Sequence, residues 1–202
     1  MATVAIEKVK VAPTPPLRAH RFTVEQYEQM GEIGVLTPND RVELLEGWIV
    51  DKMTQTPPHN AVIDFVRASL ETLLPQEWCV REQKAIRLTR SAPEPDLVVV
   101  QGPVSRYVRR HPTPEDIAIV IEVSDTTLTE DRTRKSRIYA QARIGEYWIV
   151  NLVESQLEVY TQPKGGKSAA YRDRQDYARQ EAMPLVVAGR ELGKIAVRDL
   201  FP

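Results

Sequence analysis

Two acidic residues fall where the sequence otherwise predicts the interior of the fold. Asp96 opens the apolar run 97–100, and Glu122 lies near the end of a second apolar run, 117–123. Short continuous apolar runs are typical of strands that are buried on both faces. Two acids on adjacent core strands would repel each other unless a proton or a cation neutralised them, and a divalent cation that takes oxygen ligands would satisfy both. The alternative is that one acid lies at the surface at a strand end and the other pairs with an arginine.

The elements that must position these acids are predicted from apolar patterns and turn residues. Two strands joined near Glu46 and Gly47 are predicted within 41–53. Further strands are predicted at 78–88, 96–100, 117–123, 146–150 and 156–160, with short strands from 171 onwards. Helices are predicted to start at Thr23, which is a helix-capping residue type, and at the Pro57-Pro58 pair, with a third over Thr129 to Arg143. Together, these predicted strands and helices indicate an α/β fold with a mixed sheet and few crossover helices.

Length and composition predict one globular domain in a cytoplasmic protein. The 202 residues suit a single domain, 21–202, preceded by a flexible arm, 1–20, which contains three prolines and no apolar period. No uncharged apolar run approaches the ~18 residues of a membrane span, so we expect no membrane association. Cys79 is the single cysteine, which excludes an internal disulfide and a multi-cysteine zinc site.

The net charge of −1 argues against non-specific coating of nucleic acid. It does not exclude a nucleic-acid enzyme, because the carboxylates of a metal site offset a basic groove.

The order of these motifs resembles the Uma-two family of restriction-endonuclease-like proteins, within the PD-(D/E)XK nuclease superfamily. The pieces that carry the resemblance are Pro95-Asp96, Glu122-Val123-Ser124, a helix with Asp131 and Lys135, and the segment 142–151 that contains Glu146-Tyr147-Trp148. The segment 41–47 followed by His59 is similar to the family's N-terminal signature. The resemblance extends from about Phe22 to the C-terminus.

This resemblance implies a restriction-endonuclease-like core, in which helices flank a mixed β-sheet, with an extra N-terminal helix and strands. It implies that Asp96 and Glu122 bind one or two Mg²⁺ ions, with Mn²⁺ as a substitute, and that Glu43 is a third acid near the metal. The metal would activate water and stabilise the charge that develops on a phosphodiester. The alternative for Glu43 is a strand-edge residue that pairs with Arg41.

The sequence departs from the superfamily motif at one position. The motif has a lysine two residues after the second acid, and this chain has Ser124 there. The resemblance implies that Lys135, in the following helix, supplies the lysine, which would orient the attacking water and offset charge in the transition state. Helical spacing puts Asp131, Lys135 and Tyr139 on one face, so Lys135 is alternatively an i,i+4 partner of Asp131. The departure leaves catalytic activity in doubt.

Five further residues are weaker candidates for a site. Gln83, predicted on the strand before Asp96, and a basic loop, Arg106, Arg109 and Arg110, could contact phosphate. Their alternatives are an exposed strand residue and a solvated basic loop. His59 is either a helix cap or a ligand.

Two functions from different classes follow. The first is a Mg²⁺-dependent endonuclease that hydrolyses phosphodiester bonds in DNA, and the second is a non-catalytic module that keeps the nuclease fold and binds nucleic acid or protein. The chain retains every acid candidate, which favours the enzyme. A hydrolase of another phosphate ester differs from the first only in substrate. Cutting both strands of a duplex favours a homodimer with two sites related by a two-fold axis.

Overall fold

A six-stranded mixed sheet forms the centre of the computed structural model, which describes residues 19–202. The predicted flexible arm lies outside the described residues, apart from Ala19 and His20. The strands in chain order are β1 (Val42–Leu45), β2 (Trp48–Asp51), β3 (Trp78–Glu82), β4 (Leu97–Gln101), β5 (Ile117–Ser124), β6 (Glu146–Asn151), β7 (Gln156–Lys164), β8 (Ala170–Ala178), β9 (Ala182–Val187) and β10 (Arg190–Ala196). The central sheet has the order β3-β4-β5-β6-β7-β8, and β5 and β6 are its one parallel pair. The predicted mixed α/β architecture is confirmed.

Helices cover both faces of this sheet. They are α1 (Val24–Glu32), α2 (Pro57–Leu73), and a continuous helical run made of α3 (Leu128–Glu130), a π-helical turn (Asp131–Lys135) and α4 (Ser136–Gln141). Thr23 caps α1 as predicted, because its side chain accepts from the Gln26 amide while the Gln26 side chain accepts from the Thr23 amide. None of these helices, within residues 19–202, is both long and apolar enough to cross a membrane.

The core consists of two layers separated by the sheet. Leu97 and Val99 of β4 pack in the cluster that contains the apolar face of α2. Val98 and Val100 point to the other face, into the cluster that contains Ile138 of α4. This alternation is the period-2 geometry of a strand buried on both faces, which the apolar run predicted.

The β1–β2 hairpin lies beside the entry to β4. Gly47, at its turn, has a φ of +85°, a left-handed conformation that glycine adopts without steric cost. The amide of Phe22 donates to the Gly47 carbonyl, and Leu44 pairs with Ala92. These contacts fix β1 against the segment that leads into β4.

Two predicted elements differ from those observed. The helix predicted over Thr129 to Arg143 begins one residue earlier, at Leu128, and contains a π-helical turn. The strand predicted over 78–88 ends at Glu82, because the next residue, Gln83, has a φ of +47° and leaves the extended conformation. Gln83 therefore follows the strand and does not lie on it.

Candidate metal and active site

Pairing of β4 with β5 brings the first two acids to the same end of the sheet. Leu97 lies opposite Ile121 in this antiparallel pair, so the residues just outside that pair, Asp96 and Glu122, are neighbours. The amide of Val123 donates to Asp96 Oδ2 at 2.8 Å. Asp96 is 9% exposed and Glu122 is 3% exposed, so neither acid is the surface residue that the alternative interpretation required.

Glu43 and Lys135 reach the same point from two other elements. Lys135 Nζ lies 3.0 Å from Glu122 Oε1 and 3.9 Å from Glu43 Oε1. Glu43 Oε2 accepts from the Glu94 amide at 2.9 Å, which holds the carboxylate against the entry to β4. Glu43 has no contact with Arg41, whose guanidinium instead donates to the Met53 carbonyl. The structure brings together all four residues of the predicted catalytic set, and their catalytic role stays a prediction.

Asp131 is a fourth carboxylate of this cluster, and it was predicted only as a helical partner of Lys135. Its Oδ1 lies 3.7 Å from Lys135 Nζ, so the i,i+4 contact also exists. Its Oδ2 accepts from the hydroxyls of Ser124 and Thr127 at 2.6 and 2.7 Å. The serine at the usual lysine position therefore anchors the helix that carries the lysine. The sequence indicates Asp131 only through its position between Ser124 and Lys135. This spacing alone does not show whether the side chain of Asp131 is solvated or buried.

Tyr139 completes the inner wall of the cluster. Its hydroxyl donates to Glu122 Oε1 at 2.7 Å, and the side chain is fully buried. Glu122 thus meets a hydroxyl and an ammonium from the same helical run.

The electrostatics of this cluster are dominated by an excess of buried negative charge. Glu43, Asp96, Glu122 and Asp131 face one ammonium. Burial raises the pKa of Glu122, and the neighbouring carboxylates raise it further against the opposing pull of Lys135. Burial disfavours the charged form of Lys135, but the surrounding carboxylates outweigh it and raise the pKa of the ammonium, so Lys135 is cationic.

His59 lies beside Asp96 at the start of α2. Its Nε2 is 3.3 Å from Asp96 Oδ2, and Gln55 Nε2 is 3.4 Å from Asp96 Oδ1. Burial lowers the pKa of His59, but the hydrogen bond and charge of Asp96 outweigh burial and raise it. His59 therefore contacts a candidate metal ligand, which its interpretation as a helix cap did not include.

A cavity of about 200 Å³ opens onto these carboxylates. Asp131 Oδ1 is buried and has no hydrogen-bond partner among residues 19–202. Within the same residues, no group of three or more His, Cys, Asp or Glu side chains has the spacing that would hold a metal ion. The cluster nevertheless fits a hard divalent cation in donor type and charge, because all of its acidic ligands are oxygens and their charge exceeds that of Lys135.

Of the five weaker candidates, His59 lines this cavity, and Gln83, Arg106, Arg109 and Arg110 lie outside it. Arg110 donates to both carboxylate oxygens of Asp116, and Arg106 lies 2.9 Å from Asp116 Oδ1. Gln83, Arg109 and Arg110 line a second, larger cleft next to the carboxylate cavity. The basic loop is therefore held mainly by an internal ion pair, and only part of it faces a cleft.

A mixed sheet with buried carboxylates and a lysine at one end of two central strands defines the class of restriction-endonuclease-like proteins. A model of the Uma2 family, described as "putative restriction endonuclease", matches residues 24–196, so the chain belongs to the Uma2 family. The fold is similar to the crystal structure of a "putative nuclease belonging to DUF820" from Anabaena variabilis, with a TM-score of 0.61 and 16% identity over 89% of this chain and 97% of that one. No curated protein matches the sequence.

Proposed function

We propose that this protein is a Mg²⁺-dependent endonuclease that hydrolyses phosphodiester bonds in DNA. The observation that carries the proposal is the cluster of four carboxylates around Lys135 at the paired ends of β4 and β5. Buried charges are normally matched by partners, and here one ammonium faces four acids. The missing positive charge and the oxygen donors are both features of a divalent-cation site.

Asp96, Glu122 and Glu43 would hold the metal, with Mn²⁺ able to replace Mg²⁺. A bound Mg²⁺ activates water and stabilises the charge on the oxygens of the reacting phosphate. Lys135 would orient a water molecule and offset charge on the reacting phosphate, and its 3.0 Å contact with Glu122 supports this role. Membership of the Uma2 family and the likeness to the fold of a putative nuclease also support this proposal.

The test is cleavage of supercoiled plasmid in Mg²⁺, in Mn²⁺ and in EDTA. We expect nicking or linearisation that requires metal and is lost in Asp96→Asn and Glu122→Gln. Glu146→Gln is the matched control, since Glu146 is a partly buried carboxylate on β6 outside the cluster, and this variant should retain activity. Metal-independent cleavage, or cleavage that survives both substitutions, would overturn the proposed site.

Calorimetric titration with Mg²⁺ and Mn²⁺ separates a missing DNA target from a missing activity. If plasmid stays intact but metal binds and binding is lost in Asp96→Asn, the metal site stands and the substrate differs. If the folded wild-type protein binds neither metal, the nuclease proposal fails. The non-catalytic module that binds nucleic acid or protein is then the better account.

We also propose that two copies form a homodimer, because cleavage of both strands of a duplex favours two sites related by a two-fold axis. Light scattering on the purified protein should then give twice the chain mass of 23.0 kDa. A monomer mass that persists at micromolar concentration in the presence of Mg²⁺ would contradict this proposal.

A further inference from the structure

A cleft of about 860 Å³ adjoins the carboxylate cavity. Its walls come from α1, the β1–β2 hairpin, the end of β3 and the basic loop. Lys52, Gln55 and Glu94 line both the cleft and the carboxylate cavity, so the two spaces are adjacent. The volume lies within the ~300–1,000 Å³ range of ligand pockets, which makes the cleft large enough for part of a substrate.

Arg81 is an unusual lining residue of this cleft, because it is a buried cation with no counter-charge among residues 19–202. The residue is 9% exposed, and its guanidinium stacks on the Tyr107 ring with the carbon Cζ 5.1 Å from the ring centroid. Its Nε is buried and has no hydrogen-bond partner in the described part of the chain. Arg81 also forms no ion pair with any residue from 19 to 202. A largely buried cation without an ion pair is unfavourable, so its placement favours an anion that residues 19–202 do not supply.

Three other cations near Arg81 have ion-pair partners. Arg87 pairs with Glu25 and Glu28 of α1, and Lys52 pairs with Glu94. Arg110, whose guanidinium also lies over the Tyr107 ring, is neutralised by Asp116. Among the described arginines that line the cleft, Arg81 is the one that is buried and has no ion pair, while Arg41 and Arg109 are exposed.

Gln83 connects this position to the carboxylate cluster. Its backbone is left-handed, with a φ of +47°, a conformation that is unfavourable for a non-glycine residue. Its amide donates to the Asp96 carbonyl at 3.0 Å. The end of β3 is thereby fixed to the start of β4, and Arg81 and Gln83 both line the cleft while Asp96 lines the cavity.

We propose that Arg81 is the centre of a phosphate-binding subsite, with Gln83 and the exposed Arg109 beside it. Its ligand is a non-reacting phosphate of the same DNA strand whose reacting phosphate lies at the carboxylate cluster. A guanidinium held over an aromatic ring presents planar N–H donors, which match phosphate oxygens. The subsite rests on the proposed nuclease function for its biological ligand. Its affinity for phosphate is a separate property of the cleft.

The first test is fluorescence anisotropy of a labelled DNA duplex in EDTA, with the salt concentration varied. Arg81→Met should weaken binding about tenfold and reduce the slope of log K against log salt by roughly 0.9, the loss of one phosphate contact. Arg81→Lys should restore the slope but only part of the affinity, because it keeps the charge and loses the planar fork. Arg172→Met is the control. Arg172 is exposed on β8, the opposite edge strand of the sheet, and its loss should leave both quantities unchanged.

The second test is thermal unfolding with and without millimolar inorganic phosphate. Without phosphate, Arg81→Met should unfold at the same temperature as the wild type or higher, because an unpaired buried charge has been removed. Phosphate should raise the unfolding temperature of the wild type and not that of Arg81→Met. A destabilised Arg81→Met with an unchanged salt slope would assign Arg81 to packing and overturn the subsite. Phosphate binding through Arg81 in a protein that binds neither Mg²⁺ nor Mn²⁺ and cleaves no plasmid would instead keep the subsite and reject the nuclease.

Discussion

Removal of the Lys135 ammonium should destabilise the fold in a pH-dependent way. In Lys135→Met the aliphatic stem is kept, while the carboxylates of Glu43, Glu122 and Asp131 lose the cation that lies 3.0–3.9 Å from them. Because buried like charges then face each other, their protonated forms become favoured. The variant should therefore be less stable than the wild type, and most clearly so where the carboxylates are ionised.

The expected size follows from the shortest of these contacts. Two unit charges 3.0 Å apart interact by about 5–6 kcal/mol at an effective dielectric constant near 20. Part of this is offset by the cost of burying Lys135, and loss of one partner of a buried ion pair typically costs about 3–5 kcal/mol. We expect that loss at pH 8. Replacing both partners, in Lys135→Met/Glu122→Gln, should cost clearly less, because no unpaired charge remains from the pair.

Urea denaturation at pH 8 and pH 5 measures these differences. When folding raises the pKa of a carboxyl, the protonated carboxyl stabilises the folded state. This contribution is fully present below the unfolded pKa of about 4.3, and it is lost as the pH rises through the folded pKa. The deficit of Lys135→Met should therefore shrink from pH 8 to pH 5. Lys194→Met, on the exposed side of β10, should match the wild type at both values. An equal deficit at both pH values, or a double variant as unstable as the sum of the singles, would refute the electrostatic account.

Two further predictions concern the parts of the fold around the site. The hydrogen bond from Arg110 lowers the pKa of Asp116 to about 2, so Asp116→Asn should lose about 1–2 kcal/mol at pH 6. This contribution is present above the unfolded pKa of 3.8 and lost as pH falls through about 2, so acid titration of both proteins should bring their stabilities together. Gly47→Ala should lose about 1–3 kcal/mol in urea denaturation, because its φ is +85° and an added Cβ would lie 3.0 Å from the Phe22 carbonyl oxygen. Gly31→Ala, where an added Cβ meets nothing within 4 Å, should gain up to about 1 kcal/mol; a loss at Gly31 equal to that at Gly47 would contradict the steric reasoning.

The buried strands could be predicted from the sequence because their signal is local. Continuous apolar runs identified β4 and β5, and the acids at their ends followed from the same runs. Their antiparallel pairing was not in the sequence pattern, yet it decides that Asp96 and Glu122 meet. The family resemblance, and not the periodicity, supplied the expectation that Glu43 and Lys135 join them.

Arg81 could not be predicted as a cleft residue because its environment is assembled from distant segments. Within β3 it occupies an ordinary alternating position, which is typical of a solvent-facing side chain. Its burial depends on Tyr107, which reaches it from a loop beyond β4. In contrast, Arg106 and Arg110 belong to a basic run that is evident in the sequence. In the structure, however, both form ion pairs with Asp116.

The π-helical turn explains how one helical run can supply three side chains to the cluster in place of a lysine on β5. In an α-helix a step of four residues rotates slightly more than one turn, so residues eight apart drift away from a common direction. A π-helical turn contains more residues than an α-helical turn, so the step from Asp131 to Lys135 rotates slightly less than one turn. The following α-helical step to Tyr139 then cancels the difference, and all three side chains reach the Glu122 side of the sheet. Ser124 fixes the start of this arrangement through Asp131, so it helps to position the helical run that carries Lys135.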